Sequence, residues 1–181
     1  MDYQKIIDKY YPAGTPLRDI YLRHCRSVSD LALELNRDCR LGLPPEQVEA
    51  AAMLHDIGIY LCDAPSIECR GQEPYIAHGI LGAELLRREG APEWVARVAE
   101  HHTGSGLTAN EITEQRLPLP ARDFLPETLL EKLICYADKF YSKSGSMKRK
   151  PLDRVRAQMG AFGPASLARF DALAALFCAR P

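Results

Sequence analysis

Several things are missing from this sequence, and each absence narrows what the chain can be. No uninterrupted apolar run approaches the ~18 residues that a membrane-crossing helix needs, so no span is expected. The opening stretch, Met1 to Lys9, is polar and charged and lacks the apolar centre of a signal peptide. Neither sign of charge is in excess, since 23 basic and 24 acidic residues leave a formal net charge of −1. So balanced a chain has no global field to draw it to nucleic acid or to an anionic membrane, and any recognition of phosphate has to be local. The six cysteines include no C-x-x-C pair, which excludes a zinc knuckle. Nothing marks secretion, so the thiols are expected to be reduced and the protein cytoplasmic. An alternating strand pattern and an internal repeat are absent too.

What remains is helical periodicity along most of the 181 residues, enough for one domain with a substantial core. Hydrophobic residues make up 46% and charged residues 26%, a globular balance. A short helix is expected from Tyr3 to Tyr10. Thr15-Pro16 supplies a capping hydroxyl and a first-turn proline for a second helix, with Leu17, Ile20, Val28, Leu31 and Leu35 along one face. Pro44-Pro45 opens a third, for which Gly58 is a natural stop. After an irregular segment from Tyr60 to Pro74, helices are expected over about 75–89, 92–102, 127–141, 152–159 and 164–178. The connection from Thr103 to Pro126 carries a small capping box at Thr108-x-x-Glu111, and its length suits a functional lid. The class is all-α, a helical bundle. Leu167, Phe170, Leu173 and Leu176-Phe177 on the last helix point to core or homodimer packing.

Metal-ligand side chains stand on these apolar faces. His24 lies four residues from both Ile20 and Val28. His55 follows Val48 by seven, and Asp56 follows Ala52 by four. His78 precedes Leu81 by three, His102 follows Val98 by four, and Asp138 follows Ile134 by four. Singly, each histidine reads as a core residue with a hydrogen-bond partner. Together, four buried imidazoles and two buried carboxylates would destabilise a core by several kcal/mol or more unless something compensates, and a divalent cation is the simplest candidate. Imidazole plus carboxylate suits iron, manganese or zinc better than calcium. Ligands spread from residue 24 to residue 138 exclude a zinc finger and fit a site built between facing helices.

The string His55-Asp56-Ile57-Gly58, with His24 before it and His78, His101-His102 and Asp138 after it, resembles the ordered pattern of the HD superfamily across about residues 15–145. That resemblance implies one HD domain over 1–181, with its C-terminal helices at about 151–178, and a metal-dependent phosphohydrolase activity. It implies His24, His55, Asp56 and Asp138 as ligands of one metal, and His78 and His102 as additional ligands of a second, with Asp56 bridging the two. The ions would be iron or manganese, with zinc, nickel, cobalt or magnesium as alternatives. A metal-activated hydroxide would attack the phosphorus of a small phosphate substrate, expected to be a nucleotide. His102 is preferred to His101 because it shares the Val95/Val98 face. It also precedes Thr103-Gly104, as the ligand does in symmetrical dinucleoside tetraphosphate hydrolases. His101 is then a supporting or substrate-facing residue, along with Arg23 and Lys143. Asp56 and Lys139 are the catalytic candidates. Lys148-Arg149-Lys150 could close over a polyphosphate, but a solvated basic loop is the preferred reading. The chain departs from many relatives in carrying Ile59 where they have lysine, and in lacking a Gly-Tyr-Pro motif after His102. A di-iron oxygenase and a non-catalytic nucleotide-binding signalling module are the alternatives on the same scaffold.

Overall fold

The computed structural model describes residues 1–177 and consists chiefly of helices. Cys178, expected at the end of the last helix, lies outside the described residues. The first three helices are α1 (Tyr3–Tyr10), α2 (Pro16–Asp38) and α3 (Pro45–Leu54). Then come α4 (His78–Arg88), α5 (Glu93–His101), α6 (Ala109–Glu114), α7 (Leu129–Asp138), α8 (Leu152–Gly160) and α9 (Pro164–Phe177). The caps follow the chemistry of the sequence. Thr15 accepts the Arg18 N–H at the start of α2, Thr108 and Glu111 close a reciprocal box on α6, and Thr128 accepts the Glu131 N–H on α7.

The segment expected to be irregular holds a small antiparallel ladder. Strands β1 (Asp63–Ala64) and β2 (Cys69–Arg70) pair Asp63 with Arg70 and Ala64 with Cys69. Two residues are too few to show a period of two, so no alternation could announce them. The five cysteines among the described residues are unbonded, and no described helix is long and apolar enough to cross a membrane.

The core forms two apolar clusters. One joins Val28 and Leu31 of α2 to Val48 of α3, Ile134 of α7 and Phe170 of α9. The other joins Ile7 of α1 and Tyr21 of α2 to Leu54, Leu85 of α4 and Val95 of α5. Helix α2 passes from one cluster to the other between Cys25 and Val28, next to His24.

Helix α3 ends at Leu54, so His55 and Asp56 lie on the turn that follows it. Gly58 does not act there as a left-handed stop, since its φ is −84°. A Cβ at this position would come within 2.3 Å of the His78 carbonyl oxygen and 2.5 Å of the Gly82 nitrogen. Glycine is needed because the turn lies directly against α4.

Candidate metal centre

Apart from His24, which is in mid-helix, the expected ligands sit at helix ends. His55 and Asp56 follow α3, His78 is the first residue of α4, His102 follows α5, and Asp138 is the last residue of α7. Ends of helices and turns leave carbonyl groups without intrahelical partners. Three imidazoles use them in the same way. The Nδ1 atoms of His55, His78 and His102 donate to the carbonyl oxygens of Ala52, Tyr75 and Ala99, three residues back, at 2.7, 2.6 and 2.7 Å. A carbonyl can only accept, so each Nδ1 carries its proton and each ring turns its Nε2 inward. Burial opposes the charged form of His55, but Asp56 and Asp138 outweigh it and raise its pKa well above the usual value.

These inward nitrogens converge with that of His24. His24 Nε2 lies 3.3 Å from His55 Nε2, 3.1 Å from Asp56 Oδ2 and 3.0 Å from Asp138 Oδ1. His78 Nε2 lies 3.0 Å from His102 Nε2, and these two nitrogens are 3.4 and 3.3 Å from Asp56 Oδ1. Two donor groups result, His24/His55/Asp56/Asp138 and Asp56/His78/His102, each with its ligand atoms within 4.8 Å of one another. Asp56 belongs to both, turning one oxygen to each.

The donor set fits divalent cations. Burial and the mutual proximity of the pair push the His78 imidazolium pKa down to about 3, and burial likewise lowers that of His102. Both rings are therefore neutral, and two nitrogen lone pairs face each other at 3.0 Å with no proton between them. That contact is repulsive unless a cation accepts both. Asp56 Oδ1, Asp56 Oδ2 and His24 Nδ1 are buried, and none has an aligned hydrogen-bond partner among the described residues.

Two lysines supply the positive charge closest to the carboxylates. Lys143 Nζ lies 2.7 Å from Asp56 Oδ2. Lys139 Nζ lies 2.6 Å from Asp138 Oδ2 and donates to the His102 carbonyl at 2.9 Å. Burial alone would raise the pKa of both aspartates. The charges of Lys143 and His55 on Asp56, and of Lys139 and Lys143 on Asp138, outweigh it and hold both carboxyls well below the usual range.

Two expected supporting residues lie elsewhere. Arg23 is exposed, with Nη1 4.0 Å from Met147 Sδ, outside both donor groups. His101 turns away from them and donates Nδ1 to Glu131 Oε2 at 2.8 Å. Adjacent residues on a helix point about 100° apart, so His101 and His102 cannot both face one centre. Reasoning from sequence also missed the support behind the turn. Tyr11 donates its hydroxyl to the Ile57 carbonyl at 3.0 Å, Tyr21 donates to that of Met53 at 2.5 Å, and their rings stack at 4.1 Å. The available signal was a pair of tyrosines on otherwise apolar faces, each with a hydroxyl that needs a partner once buried.

A helical bundle whose facing elements send imidazoles and carboxylates into two linked donor groups defines the class of protein. The model of the HD domain matches residues 21–142, and the chain belongs to the HD-domain family. It is 35% identical over 134 residues to a tRNA (cytidine(56)-2'-O)-methyltransferase of Picrophilus torridus, a match covering 74% of this chain and 35% of that protein. A methyltransferase of the same name from Thermoplasma volcanium is 31% identical over 147 residues, 81% of this chain and 38% of that protein. An uncharacterised protein of Methanocaldococcus jannaschii is 38% identical over 122 residues, 65% of this chain and 63% of that one. The chain thus spans less than two thirds of the length of each of these curated relatives. The crystal structure of the HD domain of the L. monocytogenes phosphodiesterase PgpH shares the fold. Its TM-score is 0.57 at 16% identity, covering 98% of this chain and 96% of that one.

Proposed function

We propose that this protein is a metal-dependent phosphohydrolase that cleaves a phosphate ester or anhydride of a nucleotide-like substrate. The observation that carries the reading is the position of Asp56 in both donor groups, one carboxylate oxygen toward each. His24, His55, Asp56 and Asp138 would hold one divalent transition metal, and Asp56, His78 and His102 a second. Ions bound there lower the pKa of a water they hold and draw charge from phosphoryl oxygens.

The chain's own residues prepare the rest. The Nδ1–H bonds to backbone carbonyls fix the orientation of three imidazoles, and the tautomer of His78 and His102, before anything binds. Lys139 and Lys143 stand where an incoming phosphate would add negative charge, and can offset it. A cleft of about 480 Å³, lined by Tyr75, Lys139 and Lys143, reaches the donor groups at Asp138. Small-molecule sites typically occupy roughly 300–1,000 Å³. Lys139 touches both Asp138 and the His102 carbonyl, which makes it a positioning residue between the two donor groups.

Purified protein is expected to carry one to two equivalents of transition metal and to hydrolyse at least one member of a panel of phosphomonoesters, cyclic phosphodiesters, nucleoside polyphosphates and RNA bearing a terminal phosphate. The RNA belongs in the panel because two relatives are named for work on tRNA. Asp56→Asn should lower kcat/KM by about a thousandfold, the scale of losing a group that organises transition-state charge. A folded protein with no affinity for divalent metal removes the proposal. Oxygen uptake on a phosphonate or inositol-like substrate would replace it with the oxygenase alternative, and tight nucleotide binding without turnover with the signalling one.

A further inference from the structure

The basic run read as one solvated loop is divided by the structure. Lys148 is exposed. Arg149 pairs with Glu34 at 3.3 Å and sits 5.7 Å over the Phe140 ring, away from the cleft. Lys150 turns the other way. Its backbone N–H donates to the Phe140 carbonyl at 2.8 Å, which anchors the segment, and its Nζ reaches Gln158, with which it lines the cleft beside Asp138, Lys139 and Lys143.

The three cleft lysines differ in how their charge is met. Lys139 and Lys143 each lie against a carboxylate of the donor groups. Lys150 Nζ donates to the neutral amide oxygen of Gln158 at 3.1 Å, and no carboxylate pairs with it among the described residues. A half-buried ammonium with one neutral hydrogen-bond partner and no paired carboxylate is a place prepared for an anion. Burial lowers its pKa, Asp138 opposes, and the charges of Lys139, Arg154 and Lys143 add to the lowering. A single phosphate bound over the donor groups would have Lys139 and Lys143 to meet it.

We propose that Lys150, held by Gln158, binds a second phosphate of the substrate, so that the cleft selects compounds with at least two linked phosphates over monoesters. This rests on the hydrolase reading for its place in catalysis, but the binding it asserts can be measured without turnover.

The full chain, as purified with its metals, is titrated calorimetrically with methylenediphosphonate and with inorganic phosphate. Wild type is expected to prefer the diphosphonate. Lys150→Met keeps most of the stem and should weaken diphosphonate binding about tenfold, the scale of one charge-assisted hydrogen bond. The loss on phosphate should be smaller, so the preference narrows. Gln158→Glu, which supplies a carboxylate partner without removing the lysine, should narrow it too and serves if Lys150→Met fails to fold. Lys148→Met makes the same charge change on the exposed side of the loop and should leave the preference as it was. Equal losses on both ligands, an equal effect of Lys148→Met, or no preference in wild type would each overturn the assignment. A Lys150-dependent preference in a protein that hydrolyses nothing would sink the hydrolase reading and leave this one standing. Hydrolysis with a preference indifferent to Lys150 would do the reverse.

Discussion

His101 and His102 are neighbours in sequence, yet they belong to two buried polar clusters built on opposite logic. His101 joins Glu131, and every acceptor there is answered. Glu131 receives His101 Nδ1 at 2.8 Å and Arg97 Nε, the Thr128 hydroxyl and the Glu127 N–H at 3.0 Å each. Glu100, one residue back, is held by Arg87 at 2.8 Å and Arg122 at 2.5 Å. His102 joins Asp56, where nitrogen lone pairs face one another and neither carboxylate oxygen has an aligned donor. Both clusters are buried and both carry charge, so burial alone does not mark a site. The difference lies in satisfaction. Polar groups that complete one another hold the fold, whereas groups that converge with their lone pairs unanswered are arranged for something else to bind.

The strongest way to break this comparison is to remove metal. Ions that bind the folded chain at a thousandfold above their Kd stabilise it by about 4 kcal/mol. Chelated protein should therefore melt well below the reloaded form, and Asp56→Asn should abolish most of that difference while leaving the chelated form folded. Equal melting temperatures with and without metal would place the Asp56 cluster with the Glu131 cluster as ordinary packing.

Next in size is the reverse test. Glu131→Gln leaves His101 and Arg97 without their shared counter-charge. Breaking a buried pair from one side costs about 3 kcal/mol. The denaturant midpoint should fall accordingly while metal content stays at the wild-type stoichiometry. Loss of metal without loss of stability would show that His101 and Glu131 act on the centre after all.

How much of this the sequence could disclose follows the same division. The ligand types were legible because His24, His102 and Asp138 each continue an apolar stripe at helical spacing, and His102 could be told from His101 by its face. The places where helices stop were not. Periodicity carries α3 through His55 and Asp56 and α7 on to Tyr141, but the described helices end at Leu54 and Asp138. Those ends are set by competition for carbonyl groups among side chains, such as the His55 bond to Ala52, and spacing does not encode that competition. Gly58 was visible as a glycine, but its reason, the approach of α4, is tertiary. The ladder of β1 and β2 is too short to leave a pattern, and Lys150 could not be separated from Lys148 because a loop has no face. Local chemistry was readable wherever a regular element transmitted it.

The smallest expected effect sharpens the comparison through pH. Burial would raise the pKa of Glu131, but the bonds from His101, the Glu127 N–H, Arg97 and Thr128 outweigh it and bring the carboxyl from an ordinary 4.5 down to about 2. A depressed folded-state pKa means that the unfolded chain takes up the proton first. The stabilisation is therefore complete above 4.5 and drains away as pH falls through about 2. In chelated protein, the gap in denaturant midpoint between wild type and Glu131→Gln should hold steady down to 4.5 and then close progressively toward 2. Subtracting the variant removes the titrations common to both chains, and chelation removes the acid sensitivity that metal ligation brings of itself. A gap already closing well above 4.5 would assign it to an imidazole, and one still open below 2 would mean the Glu131 charge contributes nothing.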